Sequence, residues 1–167
     1  MNGPVRRAEA ADLPLLPAVE LAADRLFADV GIDLPAGAAD VADLAGAACV
    51  LVAGRPPVGF ARLEVLDGTA HLEQLSVHPD HARRGLGTAL LRAAVSWART
   101  EGFARLTSTT FQDVPWNGPW YRRHGFTDAR PGPELLRHRR AEQEAGLDDL
   151  GRRVCLELLL DPLRAPS

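Results

Sequence analysis

Lysine is absent from this chain of 167 residues, and all 19 of its basic residues are arginine. That excludes the lysine of a Walker-type phosphate loop and any Schiff-base lysine. Cysteine is scarce. Cys49 and Cys155 each sit in an apolar run, which reads as two buried free thiols rather than a disulfide or a nucleophile. No apolar run approaches the ~20 residues that span a bilayer. Arg6 and Arg7 near the start have no apolar stretch of the signal-peptide kind behind them. The expectation is a cytoplasmic protein with no membrane partner.

What is present is ordinary in bulk: 46% hydrophobic and 25% charged residues, enough to bury a core in one domain spanning residues 1–167. The charge is uneven. Residues 1–50 hold eight acids against three arginines, and residues 83–140 hold eleven arginines against four acids. An acidic front and a basic middle suit a cationic acceptor meeting a polyanionic cofactor, and equally suit two solvated faces. With an overall charge of −3, nucleic acid is not an expected partner.

Along the chain, Pro4 to Glu9 reads as an edge strand and Asp12 as a helix cap. Leu16, Val19, Ala23, Leu26 or Phe27, and Val30 then recur at helical spacing until Gly31. Glu20 and Asp24 lie near one edge of that stripe. A second, Ala-rich helix is predicted over 37–45. The texture then changes to strands at Cys49 to Val52, Val58 to Leu66 and Ala70 to Val77, with a tight hairpin at Asp67-Gly68. Leu86, Ala89, Leu90, Ala93, Ala94 and Trp97 form one apolar helix face, closed by Gly102. Strands at 105–110 and 126–129, a short helix over 115–123, a polar helical segment over 134–149 and a last strand at 153–160 complete a mixed α/β domain.

The informative stretch is Leu72-Glu-Gln-Leu-Ser-Val-His-Pro-Asp-His-Ala-Arg-Arg-Gly-Leu-Gly-Thr-Ala-Leu-Leu91. A strand runs into a turn with two arginines and two glycines, then into a helix. The helix N-terminus offers unpaired N–H groups and partial positive charge to an anion. Gly85 and Gly87 let phosphate approach the backbone. Arg83 and Arg84 add charge, and Thr88 adds a hydroxyl. A Rossmann loop needs a third glycine where Leu90 stands, and a P-loop needs a lysine. By itself, a Gly-x-Gly turn before a helix also fits a plain tight turn.

Leu75-Ser-Val-His-Pro79 followed by Arg83-Arg-Gly-Leu-Gly-Thr88 resembles the coenzyme A loop of the GNAT acetyltransferases, whose pattern is Gln/Arg-x-x-Gly-x-Gly/Ala. Its first place is Ala82 here, a departure that removes one side-chain contact and leaves the backbone cradle. Asn117-Gly-Pro-Trp-Tyr-Arg-Arg-His-Gly-Phe126 is similar to the family's Asn-x-x-x-Tyr-x-x-x-Gly-Phe segment. The resemblance covers residues 48–129. It implies a central, mostly antiparallel sheet with two splayed neighbouring strands and flanking helices, and N-acetylation with acetyl-coenzyme A and no metal. The five histidines show no ligand spacing that would add one.

The resemblance also implies roles. Leu75, Ser76 and Val77 bind pantetheine through the backbone, with the Val77 amide as donor to the oxyanion. Arg83, Arg84, Gly85, Leu86, Gly87 and Thr88 hold the phosphates. Tyr121, the one tyrosine in the chain, gives its proton to the departing sulfur as general acid; a core aromatic is the plainer alternative. Asn117 holds pantetheine or caps the short helix. Glu73 is the candidate base, with His71 as a second candidate through water; a charge on a solvated sheet face is the competing reading. Glu20, Asp24, Phe27 and Trp116 are candidates to line the acceptor site, core packing being the alternative for the two aromatics. The acceptor is a small-molecule or peptide amine that the sequence does not specify. Family members often form dimers, so a homodimer is the assembly the resemblance allows. Two rival readings stand: a catalytically silent acyl-CoA sensor on the same fold, and a nucleic-acid or protein interaction module built on the arginines between Arg122 and Arg140. Interspersed acids and the lack of stacking aromatics weigh against the second.

Overall fold

The computed structural model describes residues 4–35 and 39–161. The strands are β1 (Val5–Arg7), β2 (Cys49–Ala53), β3 (Gly59–Leu66), β4 (Thr69–Val77), β5 (Arg105–Phe111), β6 (Thr127–Asp128) and β7 (Arg153–Leu159). The helices are α1 (Leu16–Asp24), α2 (Val41–Ala45), α3 (Leu86–Thr100), α4 (Gly118–Arg123), α5 (Pro133–Glu144) and α6 (Leu147–Leu150). This is a mixed α/β fold with an open sheet of order β1-β2-β3-β4-β5-β7-β6 and flanking helices. Among the described residues, no helix is long and apolar enough to cross a membrane.

The chain divides into two compact units. The first takes the described residues up to Glu64 together with Leu72–Ser96, and the second takes Val65–His71 and the described residues from Trp97 onward. In the first unit, β1 pairs with β2 and β2 with β3, both antiparallel, with Arg6 opposite Val52 and Leu51 opposite Ala61. All five residues of β2 are buried, as expected of a β-branched and aliphatic run covered on both faces. Leu16 and Val19 of α1 join Leu44, Val50, Val52 and Phe60 in a core cluster, each large aliphatic contributing ~1.5–3 kcal/mol by leaving water.

Three expectations for this unit are corrected. Asp12 makes no side-chain cap. Its carboxylate accepts instead from Arg6 at 2.6 and 3.0 Å and from the Glu9 amide at 2.7 Å, and these bonds hold its pKa down at about 2. The first helical stripe does not continue to Val30. The chain tightens into a 3-10 segment from Arg25 to Val30, which turns Val30 outward before left-handed Gly31 stops it. The second helix is shorter than 37–45. Asp40 is its cap, its carboxylate accepting from the Ala42 amide at 3.2 Å; positions 37 and 38 lie outside the described residues.

In the second unit, β4 and β5 are parallel, with Ala70 opposite Leu106 and His71 opposite Thr107. β5 pairs antiparallel with β7 from Arg105↔Leu159 to Phe111↔Arg153, and β6 adds to β7. The hairpin before β4 turns on Asp67 and Gly68, both with positive φ, as a two-residue primed turn requires. Asp67 also accepts from the Glu134 and Leu135 amides at 2.8 and 3.0 Å, and Glu134 accepts from the Asp67 amide in return. The polar segment after Pro133 is two helices rather than one, because Gly146 is left-handed between them.

Helix α3 has the predicted apolar face with a small rotation. Its buried line is Leu86, Leu90, Ala94 and Ala98 flanked by Leu91, while Ala89, Ala93 and Trp97 are half-buried. Neither cysteine is in a disulfide. Cys49 is buried and Cys155 half-buried.

Candidate functional site

The loop that follows β4 is built from local signals. His78 accepts the Asp80 amide on its Nδ1 at 3.1 Å and opens a single 3-10 turn over Pro79–His81. Ala82 is extended. Arg83 then has φ +59° and Gly85 φ +77°. Left-handed backbone is uncommon for a residue with a side chain, so two such residues separated by one mark a specifically shaped turn. Residues 82–85 are exposed, whereas Leu86 is buried and anchors the first turn of α3. Fifteen residues of helix begin at this turn, with their positive pole toward it. Two guanidinium groups stand at the same place. A diphosphate fits this combination of backbone donors, helix pole and arginine charge.

Leu75, Ser76 and Val77 are the last residues of β4. Ser76 is buried and accepts from the Gln74 amide group at 2.7 Å. β3 runs close behind them. A Cβ at Gly59 would stand 3.1 Å from the Ser76 carbonyl oxygen and 3.2 Å from Leu90, so the glycine lets β3, the end of β4 and α3 approach one another. Gly87 and Thr88 lie half-buried in the first turn of α3.

The acids of the first unit converge. Glu20 is buried on α1 and accepts from the Ala39 amide at 2.6 Å. Burial raises its pKa, the Ala39 bond and the Arg62 charge oppose that rise, and the Glu73 carboxylate adds to it. Glu73 of β4 is thus within electrostatic reach of Glu20. Asp24 stands one helical turn further along α1, half-buried. Burial, reinforced by the Glu20 charge, pushes it up to about 6. Arg62 is held by Glu64 at 2.8 Å. Phe27 is half-buried in the 3-10 segment after α1. The structure therefore groups Glu20, Asp24 and Glu73, and brings in Arg62, which the sequence did not single out.

In the second unit, Tyr121 is buried in α4. Its ring meets Trp120 at 5.1 Å and Phe126 at 5.2 Å, both edge-on. Burial pushes the phenol up to about 12, against the pull of a hydrogen bond with Ser108 of β5. Asn117 does not cap α4 with its side chain. Its Oδ1 accepts instead from the Phe111 amide at 3.4 Å, tying the helix start to the end of β5. Trp116 is half-buried in the loop that leads into α4. Ser108 was missed by sequence reasoning. The available signal was the run Thr107-Ser-Thr-Thr110, since hydroxyls on a buried strand need partners.

Residues 20–126 match the Acetyltransferase (GNAT) family. Over 104 residues the chain is 36% identical to a mycothiol acetyltransferase of Parafrankia sp. (strain EAN1pec), an alignment covering 61% of this chain and 30% of that protein. The chain thus spans under a third of that relative's length. Among solved structures, the ribosomal-protein-S18-alanine N-acetyltransferase from Escherichia coli aligns with a TM-score of 0.67 and 20% identity over 100% of both chains. The PaiA N-acetyltransferase from Thermoplasma acidophilum, in complex with coenzyme A, aligns with a TM-score of 0.67 and 13% identity over 95% of this chain and 99% of that one. At those identities the structural likeness concerns the fold. The family match takes in most of the chain, including the strand, turn and helix described above: the chain belongs to the GNAT acetyltransferase family.

Proposed function

We propose that this chain is a cytoplasmic N-acetyltransferase that moves an acetyl group from acetyl-coenzyme A to the primary amine of a small cationic molecule or a peptide. The turn between β4 and α3 carries this reading. Its two left-handed residues, two arginines and fifteen-residue helix make a site for a diphosphate. Acetyl-coenzyme A supplies an activated acetyl thioester there.

The chain's own residues supply the rest. The backbone of Leu75 to Val77 holds the pantetheine arm, and the Val77 amide faces the thioester oxygen. Arg83, Arg84, Gly85, Leu86, Gly87 and Thr88 hold the phosphates. Tyr121 gives its proton to the departing sulfur. A phenol held up at about 12 is fully protonated at neutral pH, as a general acid must be. Glu73 takes the amine proton, directly or through water. Glu20 and Asp24 draw the cationic acceptor toward it, and Phe27 and Trp116 give apolar walls. Two of the compared proteins are named for mycothiol and for an alanine of ribosomal protein S18, so the acceptor varies among related folds and must be found by trial.

The test is thiol release from acetyl-coenzyme A with a panel of amines: spermidine, an aminoglycoside, free glutamate and an alanine-initiated peptide. Turnover is expected with a cationic member. Tyr121→Phe should lower kcat roughly a hundredfold while acetyl-coenzyme A affinity stays unchanged. Binding without turnover on any amine would contradict transfer and leave an acyl-CoA-binding module.

A further inference from the structure

In the first unit, charges of opposite sign share one covered face without joining. Arg62 of β3 lies opposite Val50 of β2, and Phe60 lies opposite Val52. Directly paired residues share a sheet face, and residues two apart return to it. Arg62 therefore stands on the face of Val50, Val52 and Phe60. That face is the one α1 covers, because Leu16 and Val19 cluster with those three side chains. On α1, Glu20 and Asp24 follow Leu16 at four-residue steps, which sets all three along one line of the helix. Leu16 is fully buried and Glu20 nearly so.

These charges do not neutralise one another by contact. The Arg62 side chain is only 20% exposed, and its Nε donates to Glu64 at 2.8 Å. Among the described residues, its two terminal nitrogens have no hydrogen-bond partner, and it forms no ion pair with Glu20 or Asp24. Glu20 accepts from the Ala39 amide through Oε2, which leaves Oε1 without a partner among the described residues. Asp24, half-buried, has a partner there for neither oxygen. The Arg62 charge is near enough to oppose the rise in the Glu20 pKa, yet the two groups stay apart. Charge held out of water without a partner is costly, and a ligand of matching charges relieves that cost. Two terminal guanidinium nitrogens offer the parallel donors that a carboxylate takes.

We propose that the acceptor is a diamino carboxylic acid, whose carboxylate takes the two terminal nitrogens of Arg62 and whose two ammonium groups meet Glu20 and Asp24. This rests on the acceptor site given to Glu20 and Asp24 above and narrows its substrate class. One guanidinium and two carboxylates complement one negative and two positive charges, so ligand and site neutralise each other. A plain diamine leaves Arg62 unanswered and sets like charge near it. A monoamino acid leaves one carboxylate unanswered. Glu64, two residues along β3, holds the guanidinium in place by its Nε.

The test uses ornithine and two relatives that each lack one charge: putrescine, without the carboxylate, and norvaline, without the side-chain amine. Calorimetry measures their binding to the full chain, with and without coenzyme A. Ornithine should bind roughly ten- to a hundredfold more tightly than putrescine, and severalfold more tightly than norvaline. Arg62→Gln should abolish the advantage over putrescine, and Asp24→Asn the advantage over norvaline. Glu64→Gln, whose amide oxygen still accepts from Nε, should keep both. A merely structural Arg62 would weaken all three ligands together. Should Arg62→Gln not fold, Arg62→Lys replaces it; keeping the charge without the fork, it should cut the advantage over putrescine severalfold. Absent ornithine binding, equal affinity for ornithine and putrescine, or an advantage that survives these Arg62 variants overturns the proposal. Where transfer occurs, Arg62→Gln should raise KM for ornithine roughly tenfold without a matching rise for acetyl-coenzyme A. The two readings fail separately. Absence of thiol release with every amine removes acetyl transfer, while the binding measurements alone decide whether Arg62 holds a carboxylate.

Discussion

Gly118 opens α4 with its backbone against the carbonyl of Gln112, so closely that a Cβ at position 118 would overlap that oxygen and stand 3.0 Å from the Phe111 carbonyl oxygen. Both obstacles are backbone atoms at the end of β5, which cannot swing aside as a long side chain can. Gly118→Ala must therefore shift α4, and α4 carries Tyr121 three residues later. The expected result is a stability loss of ~1–3 kcal/mol in urea unfolding. Turnover should fall further than the folded fraction does. Wild-type unfolding and wild-type kcat together would show that this contact does not position the helix.

Asp24 gives a pH signature. Its carboxyl stands at about 6 in the folded chain against an ordinary 3.8, because of burial and the neighbouring Glu20 charge. Folding therefore favours the protonated form. Its contribution to stability is greatest below pH 3.8 and is lost as the pH rises through 6. Asp24→Asn should be more stable than the parent chain at pH 7 by about 1 kcal/mol, after discounting for the screening of a half-buried group. The two chains should be equal near pH 3. The same substitution should raise KM for a cationic amine while leaving acetyl-coenzyme A affinity alone. A constant difference across pH would remove the titration argument.

Glu142 has the opposite sign. Burial pushes its pKa up, but the bond from His138, the Arg153 charge and bonds from Thr109 and Arg139 outweigh it and hold the carboxyl at about 2. Arg139 reaches it at 2.7 Å and Arg153 at 3.1 Å. This contribution is complete above pH 4.5 and fades as the pH falls toward 2. Glu142→Gln, which also leaves two arginines without that partner, should cost about 3 kcal/mol at pH 7. Urea midpoints measured from pH 7 down to pH 2.5 should converge. Parallel curves would show that the carboxylate is not what ties α5 to β5 and β7.

The sequence displayed the strands and the turn between β4 and α3 clearly, because both are local. Apolar runs bounded by Gly54 and by Asp67-Gly68 leave few options for the chain, and Gly85 before an amphipathic helix is a short-range signal. What was not legible depends on partners distant in sequence. Asp12 has the residue type of a cap, but Arg6 takes its carboxylate. Asn117 stands at the start of α4, yet its side chain bonds back to Phe111. Val30 continues a helical period that the 3-10 segment ends. Ser108 lies thirteen positions before Tyr121 on another element, and no periodicity links a strand hydroxyl to a helix phenol. Glu20, Asp24 and Glu73 were read as separate candidates. Their mutual influence follows from where α1 and β4 lie in the first unit.

The phosphate turn is the central claim, and calorimetric titration of acetyl-coenzyme A into the full chain tests it most directly. Gly87→Glu places a side chain and a negative charge in the first turn of α3, where the anion is expected. Circular dichroism can confirm that the variant folds. Micromolar binding by the parent chain, abolished in Gly87→Glu, is the predicted result. No binding by the parent chain, or equal binding by the folded variant, would contradict the assignment of this turn to the cofactor.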